Sequence, residues 1–143
     1  MNAWLFHANN EYVLTEKVPP LLGQLEDWLA LTNFKKIEAG DKVVLWQSAV
    51  GGLEPGIYAF GEVDGQPYKF VGDENWRVDI RYIRLLDNPV LKQQLVSDLL
   101  LSGLLVIKNP NTANPSHVTT EQWEALESLT REGKLGEKAD SGV

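Results

Sequence analysis

Three short runs between residues 42 and 82 dominate what this chain can fold into: Lys42-Val43-Val44-Leu45-Trp46, Ile57-Tyr58-Ala59-Phe60-Gly61-Glu62-Val63 and Arg77-Val78-Asp79-Ile80-Arg81-Tyr82. Each is rich in β-branched and aromatic residues, too short for an ordinary helix, and bounded by turn formers, so each reads as a strand. Gly40-Asp41 marks the corner before the first run. The glycine-rich connection from Gly51 to Gly56 joins the first two as a hairpin with a long loop, and a polar stretch from Asp64 to Asn75, broken by Gly65, Pro67 and Gly72, leads to the third. Alternation in the third run puts Val78, Ile80 and Tyr82 on one face and Arg77, Asp79 and Arg81 on the other. A sheet is therefore the centre of the molecule.

The flanks supply helices and further strands. Ala3-Trp4-Leu5-Phe6-His7-Ala8 is a brief apolar run that stops at Asn9-Asn10 and reads as a buried opening strand. After Pro19-Pro20, the spacing of Leu21, Leu25, Trp28 and Leu29 predicts a short helix or helical turns up to Asn33. Asn88-Pro89 has the form of a cap followed by proline at the first helical position, and Leu91, Leu95 and Leu99 repeat every four residues, predicting a helix that runs to Gly103. Leu104 to Ile107 reads as one more strand and Lys108 to Pro115 as an irregular loop. Thr119 with Gln122 three residues on is a capping box, with Val118 and Trp123 placed to form a hydrophobic staple, so a last helix follows. From Gly133 the composition is that of a frayed tail.

A chain of 143 residues fits one domain, and 43% hydrophobic residues give it enough apolar surface for a core. It has no cysteine, which removes disulfides, thiolate nucleophiles and Cys-bearing zinc sites. His7 and His117 lie far apart with no metal-ligand spacing. Ser48 and Ser116 lack the glycines of a nucleophile elbow, and no glycine-rich phosphate loop is present. The carboxylate pairs Glu26-Asp27 and Asp73-Glu74 are sequence neighbours whose side chains diverge in any regular structure, and they read as solvated surface. The expectation is no enzyme, no metal and no cofactor. No apolar run approaches the ~18 residues of a membrane span, and Met1-Asn2-Ala3-Trp4 lacks the pattern of a signal peptide, so a cytoplasmic protein without a membrane partner is expected. A net charge of −7 weighs against non-specific coating of DNA, which draws its affinity from basic side chains, but leaves room for recognition of a single base in a pocket.

Five tryptophans are the compositional oddity. Trp123 is explained by the staple, and Trp4 by the core of the opening strand. Trp28, Trp46 and Trp76 each sit at the edge of an element beside polar residues. They either pack in the core or line a cleft where a flat ligand stacks, with Gln47, Ser48 or Asn9 bonding its edge.

The order of these elements is informative as well. Trp4-Leu5-Phe6, Asp27-Trp28, the block Ile37-x-x-Gly40-Asp41-Lys42-Val43-Val44-Leu45-Trp46-Gln47-Ser48, then Pro55-Gly56-Ile57-Tyr58-Ala59-Phe60-Gly61-Glu62-Val63, Asn88-Pro89-Val90-Leu91, Asn109-Pro110 and Val118-Thr119-x-x-x-Trp123 together closely resemble the EVE domain, a PUA-like family related to YTH domains. The resemblance spans residues 3 to 130. It implies an α+β fold, a small curved PUA-like β-barrel of five or six strands flanked by helices, over residues 1–132, with 133–143 as a flexible tail. It also implies a non-enzymatic module that takes a modified base of DNA or RNA out of the strand into an aromatic pocket. By position, Trp28 stacks on the base, Trp46, Gln47 and Ser48 line the floor and edge, His7 and Asn9 at the end of the first strand face them, and Trp76 is a further cage candidate. Lys35, Lys36 and Lys108 are the candidate phosphate contacts. The absence of a fused nuclease or GTPase points to a separately encoded effector protein or to a lone sensor. The competing readings are a small-molecule or nucleoside-binding domain and a protein-interaction module using the same pocket.

Overall fold

The computed structural model describes residues 2–8, 22–49 and 54–131. Asn9, residues 51–53 of the glycine-rich connection and the expected tail at 133–143 lie outside the described residues. Six strands form one mixed sheet: β1 (Ala3–Ala8), β2 (Leu25–Leu29), β3 (Lys42–Gln47), β4 (Gly56–Tyr68), β5 (Arg77–Leu91) and β6 (Ser116–Val118). Their order across the sheet is β2-β5-β4-β3-β1-β6. β1 and β3 are parallel and the other neighbours antiparallel. Among the described residues there are also three helices, α1 (Lys92–Leu95), α2 (Leu105–Lys108) and α3 (Thr120–Arg131), and one 3-10 turn at Leu101–Gly103. No helix among the described residues is long and apolar enough to cross a membrane.

The α+β class agrees with the expectation, but the closed barrel does not: the sheet is open. Its two edges approach without forming a ladder. Beyond β2 the amides of Leu31 and Thr32 both donate to the carbonyl of Asn114, at 2.8 and 3.0 Å, and the Asn33 side chain donates to the Pro115 carbonyl at 2.9 Å. The Asn114 side chain meanwhile pairs with the backbone of β1, accepting from His7 N and donating to His7 O, both at 2.8 Å. One asparagine thus clasps the seam where a strand pair would close a barrel.

Three elements differ from their predicted form. The stretch predicted as helical turns before Asn33 contains edge strand β2, because its residues alternate against β5 (Glu26 opposite Ile80, Trp28 opposite Val78) and the long-range pairing overrides a helix-like spacing. The helix predicted from Asn88-Pro89 to Gly103 is cut to one turn: β5 continues to Leu91, α1 covers Lys92–Leu95 alone, and the ladder is irregular between the Ala59–Leu85 and Ile57–Val90 pairs, where Pro89 breaks no regular bond. Of the presumed leucine stripe, Leu95 is buried and Leu99 fully exposed. The predicted strand Leu104–Ile107 is replaced by helix α2 at Leu105–Lys108, and the irregular loop is followed by an edge strand, β6, that the sequence did not suggest. The final helix begins as expected: Gln122 N donates to Thr119 Oγ1 at 3.1 Å and Thr119 N to Gln122 Oε1 at 2.9 Å.

The sheet separates two apolar clusters. On its concave, inner face lie Trp4, Phe6, Ala8, Trp28, Ala30, Val43, Leu45, Ala59, Val78, Ile80 and Tyr82. On the outer face lie Leu5, Val44, Trp46, Ile57, Phe60 and Val90, covered by Leu95, Leu101, Leu104, Val106 and Leu126 from the helical segments. Two features fix this curvature. Gly40, with φ +89°, makes the corner that delivers Asp41, whose buried carboxylate accepts from Trp4 Nε1 and Glu38 N, each at 2.9 Å. At Gly61 a Cβ atom would lie 2.8 Å from the Arg81 carbonyl and from Ile80 Cγ2, so only glycine lets β5 cross β4 there.

Candidate functional site

β2 carries the centre of the candidate site. Alternation sends Glu26, Trp28 and Ala30 to the inner face and Asp27 to the outer. Trp28 is 7% exposed and meets Phe6 of β1 edge-on, with ring centroids 5.9 Å apart. This contact spans the seam, since β1 and β2 are not neighbours in the ladder. Gln47, the last residue of β3, shares the face of Val43 and Leu45 by alternation and is fully buried, with its Nε2 donating to the Ser48 carbonyl at 3.1 Å. Ser48 continues the edge, its amide donating to Ala8 O at 3.0 Å.

Behind Trp28 lies a polar pair that the inner face holds among apolar side chains. The fully buried Tyr82 donates its hydroxyl to Glu26 Oε2 at 2.5 Å. Burial, more than the hydrogen bond, pushes the phenol well above its ordinary range, while the Trp28 side chain acts on it in the opposite sense. Glu26 is half-buried, and desolvation raises its carboxyl above the usual value, an effect opposed by the Tyr82 hydrogen bond. Asp27, by contrast, faces solvent and pairs with Arg77 at 2.9 Å. The adjacent carboxylates diverge as strand geometry requires, but only one of them is surface.

Trp76 precedes β5 and packs on the edge of the inner cluster. Phe34 stacks on it, with centroids 5.1 Å apart and planes 10° apart, and Lys69 Nζ lies 5.4 Å from its ring centre. The ring is already flanked by an aromatic and a cation. Lys35 and Lys36 are exposed in the turn that follows Asn33, and exposed Lys108 opens the connection leading to Asn114. Among the described residues no group of three or more His, Asp or Glu side chains is arranged to hold a metal.

A family model for the EVE domain matches residues 2–129. The chain belongs to the EVE domain family. Solved structures agree on the fold of this EVE domain. A hypothetical protein from Leishmania major superposes with a TM-score of 0.73 at 15% identity, over 94% of this chain and 97% of that one. Human THYN1, in complex with DNA containing 5-methylcytosine, superposes with a TM-score of 0.68 at 15% identity, over 90% and 97%. Protein Atu2648 from Agrobacterium tumefaciens gives 0.65 at 21% identity, over 98% and 100%. Among curated proteins, none matches this chain.

Within this EVE domain the residues expected to share one pocket are divided between two faces. Trp28 and Gln47 lie on the inner face, Ser48 at its edge, and Trp76 against its rim. Trp46, 2% exposed, belongs to the outer cluster with Val44 and Ile57, and His7 follows Leu5 to that same side. Trp46 and Gln47, expected side by side, are turned apart for a simple reason: successive residues of a strand point to opposite faces. His7 is half-buried, its Nδ1 has no hydrogen-bond partner among the described residues, and burial pulls its pKa below the ordinary value. Conversely, Glu26 and Tyr82 were not singled out from sequence. The signal was present in the alternation from Arg77 to Tyr82, but it becomes usable only once β2 is known to be a strand.

Proposed function

We propose that this EVE domain is a non-enzymatic nucleic-acid-binding module that recognises a modified base, turned out of its strand and held against the inner face beside Trp28. The observation that carries this reading is the shared fold with THYN1, whose complex holds DNA containing 5-methylcytosine, together with an inner face that gathers an indole, a buried amide and a carboxylate. Stacking on Trp28 supplies affinity for any flat base, and Gln47 and Glu26 supply edge contacts. One methyl group contributes only about 1–3 kcal/mol of discrimination, so a rigid apolar slot is the suitable reader. Lys35, Lys36 and Lys108 take the flanking phosphates. The module works in the cytoplasm, and any strand cleavage belongs to a separately encoded effector.

The test is fluorescence anisotropy with labelled oligonucleotides carrying cytosine, 5-methylcytosine, 5-hydroxymethylcytosine, adenine or N6-methyladenine, single- and double-stranded. Preference for one modified base that is lost in Trp28→Ala, with the fold retained by circular dichroism, is the expected result. Absence of binding to every oligonucleotide at ~100 μM and low salt, where phosphate attraction is strongest, rejects the reading. The net charge of −7 favours one second reading, a nucleoside-binding domain using the same face. A free nucleoside binds nearly independently of salt, whereas an oligonucleotide held through three lysines loses affinity steeply as salt rises.

A further inference from the structure

The aromatic side chains of the inner face form a row that ends at the surface. Phe6 meets Trp28 edge-on, and both are buried. Beyond Trp28 the contact between β2 and β5 continues for one more step, since Ala30 N donates to the Trp76 carbonyl at 2.9 Å. Trp76 thus stands opposite Ala30, next to the Trp28–Val78 pair, and the two indoles are diagonal neighbours on one face. Phe34 stacks on Trp76 with planes 10° apart, and these last two rings, unlike Phe6 and Trp28, are partly exposed. The turn that carries Phe34 is fixed. Lys36 N donates to Asn33 O at 2.8 Å, Asn33 Nδ2 donates to the Pro115 carbonyl at 2.9 Å, and Ile37 is buried. A ring held in this way loses little freedom when a ligand meets it. Exposed Lys35 and Lys36 follow Phe34 directly, and exposed Lys69 has its Nζ 5.4 Å from the Trp76 ring centre. Residues 33–38 and 69–77 set Lys35, Lys36, Lys69 and Arg77 against Glu38, Asp73 and Glu74, so this strip lacks the acidic excess of a chain with net charge −7.

We infer that Phe34 is a stacking platform for the nucleotide next to the read base, with Lys69 joining Lys35 and Lys36 at the phosphates, which makes a strand left unpaired beside that base, rather than an intact duplex, the ligand class. This rests on the reading that a base is held beside Trp28. A pre-ordered ring with ammonium groups around it is the combination that holds single strands: any base stacks on it, and the cations meet the backbone. In an intact duplex both faces of each base are covered by its neighbours, so no face is free for Phe34. Trp76 is a positioning residue: it supports the Phe34 ring from one side and does not touch the nucleotide.

The experiment uses the oligonucleotide preferred in the anisotropy assay, as a single strand, as a full duplex, and as single strands in which the residue on one or the other side of the read base is abasic. Wild type is expected to bind the single strand at least tenfold more tightly than the duplex, and to lose roughly five- to hundredfold in affinity when the stacked neighbour is abasic. Phe34→Leu, which keeps apolar packing on Trp76 and has no aromatic face, is expected to lose as much on the intact strand and nothing further on the abasic one, whereas a merely structural defect weakens both alike. Phe34→Tyr, which keeps the ring, restores the intact-strand affinity. Trp76→Leu weakens the intact strand more than the abasic one, as a support for Phe34 should. Lys69→Gln lowers the salt slope by about one, and an unchanged slope overturns the phosphate assignment of Lys69. Equal affinity for duplex and single strand, no loss on either abasic strand, or equal losses on intact and abasic strands in Phe34→Leu overturns the inference and, while binding still depends on Trp28, leaves the base-reading function standing. If no oligonucleotide binds, the function itself has failed and the inference falls with it.

Discussion

The two faces of one sheet are closed by different means. On the outer face every helical segment contributes to the cluster: Leu95 from α1, Leu101 from the 3-10 turn, Val106 from α2 and Leu126 from α3. The inner cluster receives nothing from these helices and is closed by the curl of β2 toward β1 and by Phe34 and Ile37 from the following turn. Their polar groups differ in the same way. On the helix side, buried polar atoms serve local backbone, with Gln122 in the capping box and Thr130 Oγ1 donating to Leu126 O at 2.8 Å. On the inner side, Tyr82 and Glu26 bond across strands. The outer face is packed by helices, and the inner face keeps a polar pair bonded from strand to strand.

Trp28 and Trp46 make the sharpest test of that division, because both are almost wholly buried and sit on opposite faces. Trp46→Ala removes a ring from the outer core and is expected to cost about 3–5 kcal/mol, read as a lower urea midpoint at an unchanged slope. The milder Trp46→Phe is expected to leave binding of the preferred base intact, and Trp28→Phe to weaken it at least severalfold in the anisotropy assay. Loss of binding in Trp46→Phe at undiminished stability would show that the ligand meets the outer face instead.

A smaller effect is expected at the seam. Asn114→Ala deletes both hydrogen bonds between that side chain and the β1 backbone and leaves two half-buried backbone groups to find other partners. The expected cost is about 1–3 kcal/mol, with faster hydrogen exchange at the His7 amide and unchanged protection in the β3–β4 ladder. Exchange that rises uniformly across the sheet would mean the clasp is not local, and that the inner and outer faces open as one unit.

The sequence made the central strands legible because their pattern is local. Val78, Ile80 and Tyr82 alternate, the β3 run is continuous, and Gly40-Asp41 marks a corner that a positive φ requires. The capping box of α3 was equally readable, since its two partners are three residues apart. β2, β6 and the length of β5 were not, because they depend on distant partners. Leu21, Leu25, Trp28 and Leu29 match a helical stripe, and only pairing with β5 makes Glu26 and Trp28 face-mates. Asn88-Pro89 imitates a helix start, and an irregularity of the β4–β5 ladder between Leu85 and Val90 absorbs the proline. The candidate site inherited these errors: Glu26 was read as surface, and Trp46 was placed beside Gln47 although strand alternation turns the two to opposite faces.

The smallest expected effect sets one titratable group of each face against the other. His7, on the outer side of β1, has its pKa lowered by burial, so the folded state prefers the neutral ring. Its contribution to stability is fully present above its unfolded value of 6.5 and is lost as pH falls through 6.5 toward the folded value. Glu26, on the inner side, has its pKa raised by desolvation, so the folded state prefers the neutral acid. Its contribution is present below the unfolded value of 4.5 and is lost as pH rises through the folded one. Mild acid therefore weakens the outer side at His7 and strengthens the inner side at Glu26, and the two trends partly cancel in the wild-type curve. Subtracting variants separates them. The stability difference between wild type and His7→Gln, from urea denaturation, is expected to be level above neutrality and to fall as pH drops below about 6.5. The difference between wild type and Glu26→Gln is expected to move the opposite way over the acid range. Two difference curves of the same sign would mean that one of these groups sits in an environment unlike the face assigned to it.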